Sequence, residues 1–314
     1  MRGLLEFVVR GRITAMLVAT GCAVSILIPL IQPLCILTGI VVALVTLRHG
    51  IYEGFFVLAG TVGLFVVFVI LLVNMYPPLG PVVWFVAILL LLSWSWSWLM
   101  AGALARASGQ GHALMVGAIL GLLTIFAFPV LVSDSTLWWE GVFDALRKSI
   151  RLQAVAAEPL LLDQLIDVFR SRASAMTGVA VSGVTLLSIL MLLVARWWHS
   201  ILDNPGGFSR EFRQLRLSRW ISVVVLATLF IAYFGQGSVS IFSAEIYSIL
   251  RVLFVFQGLA VVHALVAQTG AWGGWLIIMY VMAVLVPQMT LILATTGFFD
   301  TWFDFRKRVP SRTP

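Results

Sequence analysis

Residues Leu91–Met100 read LLSWSWSWLM, three serines and three tryptophans in strict alternation inside a long apolar run. Alternation with period two is the pattern of a half-buried strand, while a continuous apolar run of 18 or more residues is that of a membrane helix. The surroundings decide between them. The run from 81 to 105 is apolar almost throughout, and similar runs recur along the chain, whereas a membrane barrel would need many alternating segments and SWSWSW is the only one. Read as a helix, successive tryptophans stand about 200° apart. Trp94 and Trp98 then share a face that Trp96 nearly opposes, and the hydroxyls of Ser93 and Ser97 can bond back to the preceding turn.

Composition agrees. Of 314 residues, 61% are hydrophobic and 11% charged, against roughly 25% charged in a soluble domain. Mean hydropathy is +1.07. The chain reads as an all-α integral membrane protein, a polytopic bundle, because a spanning chain must satisfy its own backbone hydrogen bonds. Spans are expected at about 13–32, 34–48, 50–73, 81–105, 112–133, 174–198, 219–236 and 244–268. A last apolar region, 270–305, crosses once or reverses near Pro287, Gln288 and Thr290, giving eight to ten membrane segments. Pro29, Pro33, Pro77, Pro78 and Pro81 mark other reversals, since proline lacks the donor a helix interior needs.

The net charge of +7 marks cytoplasmic loops rather than a nucleic-acid surface. With the N-terminus inside, the basic amphipathic segment 1–12, Arg48, Arg106, the loop 199–218 and the tail 306–314 all fall on the cytoplasmic side. The loops near 32, 74–80 and 237–243 fall outside and carry no basic residue. Both termini are therefore expected in the cytoplasm, with the reversal near Pro287 returning the tail. Segment 134–173, with five basic and six acidic residues, is the one large piece expected outside. Trp138, Trp139, Val142, Phe143, Leu146 and Ile150 form one apolar face there, and Leu161, Leu162, Leu165, Ile166 and Phe169 a second. They describe two amphipathic helices that float in the interface or cap an outward-facing cavity.

An N-terminal apolar run after Arg2, Arg10 and Arg12 resembles a signal peptide, but it has no small-residue exit and reads as an uncleaved first helix. Cys22 and Cys35 have no partner spacing, and the four histidines are scattered, so no metal or cofactor site is expected. There is no P-loop, H-E-x-x-H or G-x-S-x-G motif. Asp300 and Asp304 share a helix face and could form an acid–base pair, but Asp304 can equally pair with Lys307 or Arg308 at an anchoring helix end. No catalytic residue is assigned and the chain is read as non-enzymatic.

Trp94, Arg251, Gln257 and His263 are the candidates for a ligand site. Gln257 is expected near mid-depth of its span and His263 nearer the cytoplasm, with Arg251, like Glu245, near the outer end. Ionisable groups inside a span usually face protein or water. Arg251 and Gln257 could line a pocket, or Gln257 could simply bond a neighbouring helix. Trp94, too deep for an aromatic belt, fills a gap between helices or stacks on a ligand. Trp96, Trp98, Trp197, Trp198, Trp220 and Trp302 are placed at the inner boundary and Trp84 at the outer one. Ala15, Ala19 and Ala23 form a stripe of small side chains that lets another helix approach closely, from within the chain or from a partner.

FQGLAVVHALV (Phe256–Val266), PQMTLILATTGFFDTWFDFRKR (Pro287–Arg308) and LRHGIYEGFFVLAG (Leu47–Gly60) together resemble the YybS-like predicted membrane proteins of bacteria. The likeness runs over most of the chain and is weakest across 134–173. That family is loosely grouped with the substrate-binding S components of energy-coupling-factor transporters. The resemblance implies a bacterial inner-membrane location, an S-component-like core and an outward-facing pocket for a small solute. It also implies a transmembrane coupling partner that meets the Ala15, Ala19 and Ala23 stripe. This chain departs from the pattern in having more spans than the six of a typical S component. The rival expectation is a membrane scaffold that holds other proteins and binds no small ligand.

Overall fold

A computed structural model describes residues 2–27, 29–106, 109–153 and 159–309, with side chains withheld at a few of them. Fifteen α-helices are present among the described residues, and no strand. The alternating stretch lies inside α5 (Gly80–Arg106), as the helical reading requires. Ser93 donates to the Leu89 carbonyl at 2.7 Å, Ser95 to Leu91 at 2.7 Å and Ser97 to Trp94 at 2.8 Å. Each hydroxyl is thus satisfied by its own helix, which is how serine survives in an apolar interior.

Among the described residues, six helical stretches are long and apolar enough to cross a membrane: Leu30–His49, Ile51–Met75, Pro77–Arg106, Gln110–Leu131, Ala173–Asp203 and Gly237–Thr269. A seventh arises if α1 (Arg2–Val8) and α2 (Arg12–Val24), bent by 106°, count as one. This is fewer than the eight to ten expected. The apolar regions are all there, but turns divide them. α11 (Arg219–Phe234) has 16 residues, α13 (Gly274–Leu285) has 12 and α14 (Gln288–Phe303) has 16. A full crossing takes about 20. Hydropathy detects greasy sequence, not where the helix stops.

The centre of the bundle is α3 (Cys35–His49), whose buried residues run without interruption from Thr38 to Thr46. A helix apolar on every side has to be enclosed. It is enclosed by α2, α4 (Ile51–Met75), α5 and α9 (Met176–Asp203). Only Gly50 separates α3 from α4, at φ +97°, a conformation that side chains with a Cβ rarely adopt. On the far side of α9, α6 (Gln110–Leu131) and the 33-residue α12 (Gly237–Thr269) continue the bundle, and α11 and α14 pack on α12. α14 crosses α12 where Gly258 and Gly297 bring the two backbones together. A Cβ on Gly258 would overlap the Leu293 carbonyl, and one on Gly297 the carbonyl of Phe254.

The reversal near Pro287 is present as a break between α13 and α14. Gln268 at the end of α12 and Arg306 in α15 (Phe305–Arg308) line the same cavity. The α13–α14 unit therefore begins and ends at one end of the molecule. The N-terminus is at that end too, since His49 bonds the Val9 carbonyl at 3.1 Å and Arg48 lies 3.9 Å from Asp203. Arg2, Arg10, Arg12, Arg48, Arg106, the 210–219 arginines and the described part of the tail all gather there. We call it the basic end. Arg312 lies outside the described residues.

At the opposite end lie the two helices α7 (Ser135–Gln153) and α8 (Pro159–Arg170). Trp139, Phe143 and Ile166 bury together with Ala173 and Met176, and the Trp139 indole donates to Thr177 Oγ1 at 2.9 Å. The two helices are joined by Arg147 to Asp163 (3.1 Å) and Asp167 (2.5 Å), Arg151 to Asp163 (3.2 Å) and Arg170 to Asp144 (3.0 Å). The charges of this segment thus answer one another across the hairpin. The side chains of Ile150, Leu161 and Leu162 lie outside those described.

Candidate functional site

The residues singled out from sequence do not share one pocket. Trp94 is fully buried, edge-on to Phe65 of α4 with ring centres 5.0 Å apart. It fills the space between helices and has no exposed face. Trp96 is buried as well, so it is not part of a lipid-facing belt; its side of α5 turns inward. Trp197, Trp220 and Trp302 are exposed near the basic end, and the Trp98 indole donates to the Ile51 carbonyl at 3.0 Å. Trp84 lines an apolar cleft of about 410 Å³ under α7, with Phe85, Leu137 and Trp138. The cleft at this end of the bundle is lined by aromatic and aliphatic side chains.

Ala15, Ala19 and Ala23 are at most 1% exposed and pack within the chain, where α2 meets α3 and α4. Thr38 donates to the Ala19 carbonyl at 3.0 Å. The stripe is therefore an internal seam, and the expectation of a partner docking on it is corrected. Its small side chains allow the enclosure of α3.

Depth along α12 also needs correction. The helix begins at Gly237, seven residues before the expected start. At 1.5 Å per residue Glu245 is then about 12 Å in and Arg251 about 21 Å in. Neither lies at the outer end. Glu245 is buried and accepts the Gly178 amide at 3.1 Å. Arg251 lines a narrow cleft of about 190 Å³ between α11, α12 and α14, with Leu229, Tyr247, Leu291 and Phe298. His263 lies elsewhere, bonded to the Leu259 carbonyl at 2.9 Å and to the Tyr280 hydroxyl at 3.3 Å. Its Nδ1 donates to that carbonyl, which can only accept.

Gln257 lies 20 residues into α12, about 30 Å from its start, where the linker at 213–217 reaches it. Its Oε1 accepts the Leu217 amide at 2.9 Å, and its Nε2 donates to Asp300 Oδ2 at 3.2 Å. Asp300 also accepts the Phe305 amide at 3.1 Å and Arg306 Nη2 at 2.5 Å. Arg306 Nη1 donates to the carbonyls of Arg213 (2.8 Å) and Leu215 (3.0 Å). One buried knot thus ties α12, α14, the tail and the linker after α10 (Gly207–Arg213). The two aspartates do not act as a pair. Asp304, at φ +47°, turns away to Arg216 (2.5 Å) and Lys307 (3.2 Å).

That second link has a pH signature. The hydrogen bond from Arg216, with Lys307 beside it, lowers the Asp304 carboxyl to about 2 from its ordinary 3.8. A depressed pKa stabilises the docked tail above the ordinary value, and this contribution is lost as pH falls through the docked one. A spin label on Val309→Cys is expected to stay immobile from neutral pH to about pH 4 and to loosen progressively toward pH 2. Asp304→Asn should be more mobile than wild type at neutral pH and lack this loosening toward acid; a tail equally immobile in that variant at neutral pH would contradict the assignment.

The arrangement most suited to holding a ligand involves none of the four candidates. Between α3, α5, α6, α9 and α10 at the basic end lies a cavity of about 610 Å³. Its polar walls come from Gln110, His112, Arg196, His199, Glu211 and Gln214. Arg196 Nε donates to Glu211 at 3.0 Å and Nη1 to His199 Nδ1 at 3.0 Å, while His199 Nε2 faces Asp203 at 3.3 Å. This network fixes the charged wall. Gln110 differs: it is 3% exposed, and neither its carbonyl oxygen nor its amide nitrogen has a partner among the described residues. Buried polar groups are rarely left unpaired. The 196/199/203 spacing, three polar residues on one helix face, was readable from sequence. Gln110 left no such trace, because only the assembled bundle buries it.

Among the described residues, no group of three or more His, Cys, Asp or Glu side chains is placed to hold a metal ion. Residues 13–301 match the model of a family described as "Predicted membrane protein (DUF2232)". No curated protein matches, and no solved structure does.

Proposed function

We propose that this chain, which belongs to the DUF2232 family of predicted membrane proteins, binds a small polar solute in the chamber at its basic end. The observation that carries this reading is the Gln110 carboxamide, buried at the chamber wall with neither donor nor acceptor partnered among the described residues. A group of that kind is stabilised by a ligand or water that pairs with it, and a cavity of this volume is in the range of small-molecule sites. The Arg196–Glu211–His199 wall adds charge of both signs, which suits a polar solute with its own donor and acceptor.

By the positive-inside rule the basic end is cytoplasmic, so the solute is met from that side of a bacterial inner membrane, not from outside. The role is binding rather than catalysis. Transport of the solute would draw on a separate coupling partner, docked on a surface other than the buried alanine stripe.

The test is native mass spectrometry of gently purified protein beside Gln110→Leu, a substitution of similar size that removes no bond within the protein. Wild type is expected to retain a small molecule stoichiometrically, and the variant to lose it while melting at the same temperature. A wild-type chain that carries a stoichiometric protein partner and no small molecule would overturn the reading in favour of a scaffold.

A further inference from the structure

A second cavity, of about 530 Å³, lies beside the chamber and shares Gln214 and Arg216 with it. Its charged walls are Arg210, Arg213, Arg216, Arg306 and Lys307, and no carboxylate lines it. Two aspartates answer this charge from behind the wall. Asp300 pairs with Arg306, and Asp304 is shared by Arg216 and Lys307. Arg210 and Arg213 form no ion pair among the described residues, so the positive charge is in clear excess.

Cationic loops face the cytoplasm in most membrane proteins, and that alone would be topology. Two further features make this cavity a built one. Arg306 is 7% exposed, with both terminal nitrogens committed to Asp300, Arg213 and Leu215, yet its Nε–H has no partner among the described residues. Gln268 on the opposing wall has a buried carbonyl oxygen that is also unpartnered. A guanidinium locked by its other bonds holds its charge at a fixed place on the cavity wall, as recognition of an oxyanion requires.

We infer that this cavity binds a phosphate or diphosphate group, with the buried Arg306 guanidinium as the fixed charge of its wall, Arg210, Arg213 and Lys307 closing on its oxygens, and Gln268 beside the remainder of the same ligand. The phosphate could belong to a soluble phosphorylated compound or to the headgroup of a membrane lipid, since Ala264 and Ala267 of α12 form the floor. The inference does not depend on a solute in the neighbouring chamber.

The probe is inorganic pyrophosphate, titrated calorimetrically into the full chain in uncharged detergent at low salt. Native mass spectrometry with phosphatidylglycerol against phosphatidylcholine forms the second arm. The double variant Arg210→Gln/Arg213→Gln changes side chains at the surface of the cavity, and Arg2→Gln/Arg10→Gln is a control of equal charge at the same end. Charge-assisted bonds of this kind predict that the first variant weakens binding by about tenfold or more and the control by less than about twofold. Pyrophosphate binding lost in the first variant identifies a soluble phosphate, and selective phosphatidylglycerol retention lost in it identifies a lipid headgroup. Binding of neither probe, or equal weakening by both double variants, overturns the inference. Gln110→Leu should leave pyrophosphate binding unchanged, so failure of the chamber reading and failure of this one are distinguishable.

Discussion

Arg306→Met is expected to release the tail and the end of α14 from the linker at 213–217, lowering the stability of that unit by about 3–5 kcal/mol. Arg306 and Asp300 are 6% and 1% exposed at the side chain, so the pair is out of water. Removing the guanidinium leaves a carboxylate that only the Gln257 amide and the Phe305 amide still address. It also strands the Arg213 and Leu215 carbonyls, each of which loses its arginine donor. Substituting both partners, Asp300→Leu with Arg306→Met, should recover part of the loss, because an apolar pair replaces an orphaned charge. Recovery should stop short of wild type, since the two carbonyls and Gln257 Nε2 still lack partners. Melting in detergent, with protease access to the tail, measures both variants. A single-variant loss below about 1 kcal/mol, or a double variant no better than the single, would refute the account of this knot.

At Trp94 the size of the effect should depend on which part of the side chain is removed. Trp94→Ala is expected to cost about 3–5 kcal/mol, the range for emptying a fully buried aromatic site. Phe65, Gly39 and Met191 line the hole and belong to three different helices, so it cannot close by one side chain shifting. Trp94→Phe should cost about 1 kcal/mol or less, because the ring is largely kept and a buried indole N–H with no acceptor disappears. Equal losses in the two variants would mean that the indole nitrogen has a partner, such as a bound water, that matters to the fold. The result also bears on function, since a tryptophan with no exposed surface cannot stack on a solute without the bundle opening.

The residues that sequence reading brought forward were those whose chemistry is unusual for their surroundings: a tryptophan at depth, an arginine and a glutamine within a span, a stripe of alanines. Each is unusual for a reason, but the reasons differ. The alanines are small because α3 must be enclosed on every side. Gln257 is polar because a linker amide and an aspartate reach it. Arg251 stands alone in a narrow cleft, and Trp94 is packing. None of these roles can be assigned from spacing on one helix, since each is defined by atoms far away in the chain. Arg306 illustrates the converse. In sequence it is one of three consecutive basic residues, RKR, with nothing to separate it from Lys307 and Arg308, yet it alone is buried.

Along the chain, the sequence by itself determined the helical class, the turns at proline and the gathering of basic residues at one end. These follow from local terms: the cost of an unpaired backbone group in hydrocarbon, the missing donor of proline and the preference of arginine and lysine for one face of a membrane. Such terms act residue by residue and are written into composition and period. The number of complete crossings, the depth of α12, the burial of the alanine stripe and the two polar cavities were decided by the tertiary structure alone. They depend on which helices meet, and a polar group becomes buried, paired or stranded only when a second element covers it. For LLSWSWSWLM the division runs through the motif itself. Its serines satisfy themselves within α5, as any isolated helix would allow, whereas only the presence of α3, α4 and α9 makes Trp94 core.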